Sequence, residues 1–165
     1  MKPSHSPYPD TCHCHSCCCP SCKCPIIIEP TCMAYYAQYV FNELVSSLSN
    51  ITLLLNFESG EKTQLINPTT IQLEAGYVYQ ISYTVQGTPG DNSYFQIVPL
   101  FNNLPQLLYV ATGVSNSASN GNAHASATFI TNAALNDPVN LSFRLATSVT
   151  SPISLLGAIS IEVIG

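Results

Sequence analysis

Apolar residues recur at every second position along most of this chain, a period that suits β-strands with one buried face and no helix. Tyr77, Tyr79, Ile81, Tyr83 and Val85 alternate with Val78, Gln80, Ser82 and Thr84. Leu53, Leu55 and Phe57 show the pattern upstream, and Val139, Leu141, Phe143 and Leu145 show it downstream. The longest row is Ile153, Leu155, Gly157, Ile159, Ile161 and Val163. Further strands are predicted over 34–41, 63–66, 70–73, 94–101, 106–110 and 123–131. Between them stand turn clusters such as Glu58-Ser59-Gly60-Glu61, Gly87-Thr88-Pro89-Gly90-Asp91-Asn92, Asn102-Asn103 and Asn136-Asp137-Pro138. Many short strands at near-regular spacing predict an all-β sandwich or jelly roll.

The cysteines obey a different rule. All eight lie before residue 33, seven of them in Cys12-His13-Cys14-His15-Ser16-Cys17-Cys18-Cys19-Pro20-Ser21-Cys22-Lys23-Cys24, with Cys32 beyond. Prolines at 3, 7, 9, 20, 25 and 30 rule out regular helix there. The chain thus divides into an irregular Cys/Pro-rich connector, residues 1–33, and a cysteine-free domain, residues 34–165. The latter lies in the usual single-domain size range.

Charge excludes several partners. Asp, Glu, Lys and Arg make up only 8% of the chain, against about a quarter in a typical domain. Lys2, Lys23, Lys62 and Arg144 are too few and too scattered to track a phosphate backbone, so no nucleic-acid partner is expected. No apolar run approaches a membrane span, and Met1-Lys2-Pro3-Ser4-His5 has no apolar signal core. Synthesis in a cytoplasm, without a membrane partner, is therefore expected. Clustered cysteine still implies metal or later oxidation, because disulfides do not persist in a reducing cytosol. Assembly inside a cell that afterwards lyses reconciles the two.

Catalysis is not expected, and no cofactor. His5, His13 and His15 sit in the connector, while His124 begins a strand and reads as a surface residue. There is no Gly-x-Ser-x-Gly and no phosphate-binding glycine loop. Glu58 and Glu61 flank a turn and read as solvated. Arg144 stands alone in an apolar strand, on the same face as Ser142 and Ala146. Either it faces solvent or it forms a buried ion pair, with Glu162 or with Glu43 of a neighbouring copy. Asn50-Ile51-Thr52 and Asn140-Leu141-Ser142 match the N-glycosylation pattern but carry no weight without secretion.

A resemblance enters through the ordered succession of Leu73-Glu74-Ala75-Gly76-Tyr77-Val78-Tyr79-Gln80-Ile81-Ser82-Tyr83, the small-residue strand from Ala123 to Thr131, Val139-Asn140-Leu141-Ser142-Phe143-Arg144-Leu145 and Gly157-Ala158-Ile159-Ser160-Ile161-Glu162-Val163-Ile164. Over residues 34–165 the chain resembles the C-terminal domain of the collagen-like glycoproteins of bacterial spore surfaces, within the C1q/tumour necrosis factor-like family. The resemblance implies a C1q/TNF-like jelly roll that assembles as a tight homotrimer, with the chain termini at one end. The chain departs from that family in lacking a Gly-X-Y repeat, so the connector stands where a collagen stalk would be.

Three readings of the connector remain open. Cys12, Cys14, Cys17, Cys18, Cys19, Cys22, Cys24 and Cys32 are candidates for intermolecular disulfides, since crowded thiols on a tail meet a neighbour's thiols. Cys12, Cys14, Cys22 and Cys24 with His13 and His15 would alternatively suit zinc or copper(I), although three consecutive cysteines cannot all turn toward one ion. The third reading leaves them reduced. Pro25-Ile26-Ile27-Ile28-Glu29-Pro30 places an apolar, β-prone triplet between prolines. Exposed, it would be an aggregation hazard, so Ile26, Ile27 and Ile28 are expected to dock, in their own head or in the facing end of the next trimer. The expected function is a structural protein of the spore surface, polymerising head to tail into a fibre, exosporium layer or appendage beside other spore-surface proteins. A trimeric adhesion or ligand-binding module is the alternative, and a thiolate metal-binding protein the second.

Replacing Cys12 to Cys24 by Ser is expected to abolish the ladder of cross-linked species on a non-reducing denaturing gel and to leave the thermal midpoint of the head unchanged. A ladder that survives the replacement overturns the cross-linking reading.

Overall fold

The computed structural model describes residues 35–165. The connector cysteines up to Cys32 and the triplet Ile26, Ile27 and Ile28 lie outside the described residues, as does the domain boundary expected at residue 34.

The alternating rows become antiparallel strands, their apolar sides packed into one shared core. In chain order they are β1 (Tyr36–Val45), β2 (Leu54–Ser59), β3 (Thr63–Asn67), β4 (Thr70–Leu73), β5 (Tyr79–Gly87), β6 (Tyr94–Phe101), β7 (Leu104–Pro105), β8 (Ala111–Val114), β9 (Ala123–Thr131), β10 (Val139–Thr147) and β11 (Ile153–Val163). One sheet runs β2-β1-β11-β5-β9, the other β3-β4-β10-β6-β7 with β8 also paired to β6. This is the expected all-β jelly-roll sandwich, and its only helical pieces among the described residues are two short 3-10 turns.

The two inward faces interdigitate. Tyr39, Phe41, Tyr79, Ile81, Tyr83, Leu155 and Ile159 of the first sheet are buried against Ile71, Phe95, Ile97, Leu141, Phe143 and Leu145 of the second. Tyr83 and Phe143 meet edge to face, ring centroids 5.5 Å apart, the geometry that aromatic quadrupoles favour. Burial of the phenols requires partners for their hydroxyls, and each finds one across the sandwich. Tyr39 is paired with the Thr63 hydroxyl at 3.1 Å, Tyr79 donates to the carbonyls of Lys62 and Glu74 at 2.9 Å, and Tyr83 donates to the Tyr109 carbonyl.

Several expectations are corrected. Residues 106–110 form no strand: Leu107–Tyr109 is a 3-10 turn in which Leu107 and Leu108 are exposed. Only Tyr109 packs, stacked at 4.0 Å on Phe129, and the backbone closes through Tyr109 N–H to Gln106 O. A short strand not predicted from the sequence, β8, follows at Ala111–Val114, and the polar loop to β9 starts at Ser115. Tyr77 and Val78 precede β5, because Val78 pairs with the chain end through its bonds to Ile164 and Gly165. The Tyr35 carbonyl accepts from Val163 N–H, so Tyr35 and Gly165 lie at one end of the sandwich.

Gly157 breaks the inward row of β11 for a steric reason. A Cβ there would lie 2.5 Å from Phe41 Cζ and 2.6 Å from the Thr84 carbonyl oxygen. Gly157→Ala is therefore expected to force β5 and β11 apart and destabilise the head by about 1–3 kcal/mol, the usual cost of overpacking. Thermal unfolding of the reduced protein measures it; an unchanged midpoint would show that the sheet yields freely there.

Candidate assembly surface

The outward face of the β2-β1-β11-β5-β9 sheet gathers what the sequence left unplaced. Strand register sets its rows. Gln38, Ser160, Ser82 and Thr128 stand side by side across four strands, and one row away Val40, Ala158, Thr84 and Ser126 do the same. The first row is tied laterally: Asn56 Nδ2 donates to Gln38 Oε1 at 2.8 Å, Gln38 Nε2 to Ser160 Oγ at 3.4 Å, and Thr128 Oγ1 to Ser82 Oγ at 2.9 Å. These short side chains spend their polar atoms on one another, and a shallow depression lies over Gln38, Ser82 and Ser160 between Tyr36, Phe57 and Glu162.

Apolar side chains frame it. Tyr36, Leu44, Leu54, Phe57, Ile130 and Leu156 are all exposed, Leu44 at 74% and Leu156 at 53%. Tyr36 and Phe57 meet edge to face at 5.9 Å. Among the cross-strand rows of this face, Glu162 is the one acidic residue and His124 the one imidazole, and both are exposed as single surface groups. A face with an exposed apolar rim and almost no charge suits a contact between copies. In the sequence these residues stand at the positions between the apolar ones, where period two marks a side of the strand but not what covers it.

Of the readings left open for Arg144, an ion pair with Glu162 does not form among the described residues. Arg144 projects outward from β10 beside Ser142 and Ala146, as its alternation required, while Glu162 projects outward from β11 in the other sheet. The outward faces of two packed sheets point in opposite directions. Arg144 is half-buried, pairs through its backbone with Asn50, and its Nε has no hydrogen-bond partner among the described residues. Glu43 instead accepts the Thr52 backbone N–H at 2.5 Å.

The ion pair that does form among the described residues went unpredicted. Lys62 Nζ lies 2.9 Å from Glu74 Oε2 and over the rings of Tyr77 and Tyr35, at 4.7 and 5.4 Å from their centroids. Thr63 pairs with Leu73 in the β3–β4 hairpin, so Lys62 and Glu74 are the next residues out on its two arms. The Tyr77 hydroxyl and the Glu74 carboxylate hold the Lys62 ammonium well above its ordinary pKa. The Tyr35 ring in turn covers Gly60, whose φ of +78° and open side admit it. This clamp fixes the position of Tyr35, the point where the described domain meets the connector.

No protein-family profile matches the chain, and no curated protein matches it. Solved structures match its fold. The globular domain of zebrafish complement 1qA protein superposes with a TM-score of 0.59 at 9% identity, covering 79% of this chain and 98% of that one. Murine APRIL at pH 5.0 gives 0.57 at 8% identity, covering 76% and 98%. Eiger TNF from S. frugiperda gives 0.55 at 10% identity, covering 81% and 94%. The sandwich therefore has the C1q/TNF-like fold, and identities this low speak to fold alone.

The interlayer tyrosines make alkaline stability testable. Burial raises Tyr79 and Tyr83 from the ordinary 10.0 to about 12, and raises Tyr39 as well. Since the folded state favours the neutral phenol, this stabilisation is complete below pH 10 and is lost as pH rises from 10 to about 12. Unfolding followed by circular dichroism should coincide in that window with the late phase of tyrosinate absorbance. Tyr83→Phe is expected to cost about 1 kcal/mol at neutral pH and to flatten the alkaline slope; an unaltered slope overturns the assignment.

Proposed function

We propose that this chain is a structural subunit of the bacterial spore surface. Three heads associate through the outward face of the five-stranded sheet, and trimers join head to tail through residues 1–33 into a fibre whose joints are closed by oxidised thiols. The observation that carries the reading is the pairing, in one chain, of a nearly uncharged sheet face rimmed by exposed apolar side chains with a connector holding all eight cysteines. The cysteine-free core supports it, because the head folds before and without any oxidation.

The spore location rests on the resemblance of residues 34–165 to the terminal domain of spore-surface glycoproteins. Synthesis in the mother cell, followed by lysis, supplies a reducing cytoplasm during assembly and an oxidising exterior afterwards. Other spore-surface proteins would serve as the anchor. The trimer interface must be large, because burial contributes about 25 cal/mol per Å² and has to exceed the entropy lost on association. A contact in which each docking segment enters the next trimer does not close on itself and so propagates as a filament.

Light scattering of the reduced head is expected to give a trimer, and Ala158→Arg, which places a cation at the centre of the face, a folded monomer. A monomeric parent head overturns the reading. Changing Ile26, Ile27 and Ile28 to Ser should leave soluble trimers and no fibres by electron microscopy. Fibres that persist would assign the joint to lateral head contacts, and release of subunits by a chelator instead of a reductant would identify a thiolate metal joint.

A further inference from the structure

On the opposite side of the sandwich, the outward face of the β6–β8 ribbon carries a shallow depression of about 290 Å³ lined by Asn92, Ser93, Tyr94, Gln96, Thr112 and Val114. Register brings Tyr94 beside Val114 and Gln96 beside Thr112. None of the six side chains is ionisable apart from the Tyr94 phenol, which is 42% exposed. The Tyr94 backbone is anchored on both sides. Its N–H donates to Ser148 Oγ at 3.0 Å, and its carbonyl accepts from Thr147 Oγ1 at 2.9 Å and from Ser148 N–H at 3.1 Å. Gln96 Nε2 donates to Thr112 Oγ1 at 3.1 Å, which orients the amide and leaves its carbonyl oxygen and the Thr112 hydroxyl proton unspent among the described residues.

We infer that this depression is a subsite for one neutral hexopyranose ring. The ligand class follows from the lining. An anion would find no cation among the six residues, and a fully apolar ligand would strand the amides and hydroxyls without partners. A pyranose has one apolar C–H face, which stacks on an aromatic ring, and a rim of hydroxyls that both donate and accept. Asn92, Gln96, Ser93 and Thr112 provide both kinds of partner around Tyr94. The volume is at the lower limit of small-ligand sites, so one ring fits, and the open rim lets a polysaccharide continue outward. The subsite lies on the other sheet from the face proposed for association, so it stands or falls independently of the trimer and the fibre.

Saturation-transfer NMR on the full-length chain tests it, with methyl α-glucopyranoside, methyl β-galactopyranoside and N-acetylglucosamine as probes and sodium glucuronate as the charged counterpart. At least one neutral sugar is expected to receive saturation and glucuronate none. Tyr94→Ala should weaken that binding about tenfold, the scale of one lost aromatic contact. Gln96→Ala, which leaves the aromatic platform intact, should weaken it less, and Leu156→Ser on the other sheet should leave it unchanged. Retention of the chain on agarose bearing the same sugar would place the ligand on a surface glycan, whereas binding in solution alone would mean the free saccharide. Silence from all three neutral sugars, a preference for glucuronate, or full binding by Tyr94→Ala overturns the inference.

Discussion

The structure depends on three buried phenols that stitch its layers together. Tyr39, Tyr79 and Tyr83 belong to the five-stranded sheet, and all are completely or almost completely buried. Each hydroxyl reaches a partner on or beside the other sheet. A leucine at any of these positions would bury comparable apolar area but accept any sliding of one sheet over the other. A buried hydroxyl tolerates no such freedom, because leaving it unpaired costs about 1–3 kcal/mol. The tyrosines thus convert a non-directional hydrophobic contact into a fixed register between sheets, and the positions of the outward residues follow from it.

That fixed register is what makes the outward faces usable. On the five-stranded sheet, Gln38, Ser160, Ser82 and Thr128 align into a row only because four strands pair without slippage. One residue of slip would turn every side chain to the opposite face. On the other sheet the same regularity sets Tyr94 beside Val114 and Gln96 beside Thr112. The small 3-10 turn at Ser117–Ser119, with its Asn116 cap, and the close approach of Gly121 to Gly90 hold the loops at that end in place.

Scarcity of charge sets the character of both surfaces. A chain with 8% charged residues has little electrostatic repulsion to keep copies apart. Its surface is solvated by amides and hydroxyls, and these pair with one another as readily as with water. Against that background the Lys62–Glu74 pair is conspicuous, placed between Tyr35 and Tyr77 where the described domain meets the connector. Such an exposed pair contributes little to overall stability; its effect is directional, fixing where Tyr35 lies.

The sequence by itself determined the strand rows, the absence of long helices from the described domain and the separation of thiols from core, because period two and cysteine position are local properties of the chain. Tertiary structure decided the rest. Alternation put Arg144 on an outward face but could not say that Glu162 faces away from it, since period two assigns a side of a strand and not a sheet. The strand expected over 106–110 is absent because Tyr109 stacks on Phe129 and its carbonyl accepts from the Tyr83 hydroxyl, in a turn that leaves Leu107 and Leu108 outside. Tyr35, Tyr36 and Tyr39 look alike in sequence and end respectively in a cation clamp, on the outward face of the five-stranded sheet and in the core. Their different fates come from contacts with residues far along the chain, and such contacts exist only once the sheets have packed.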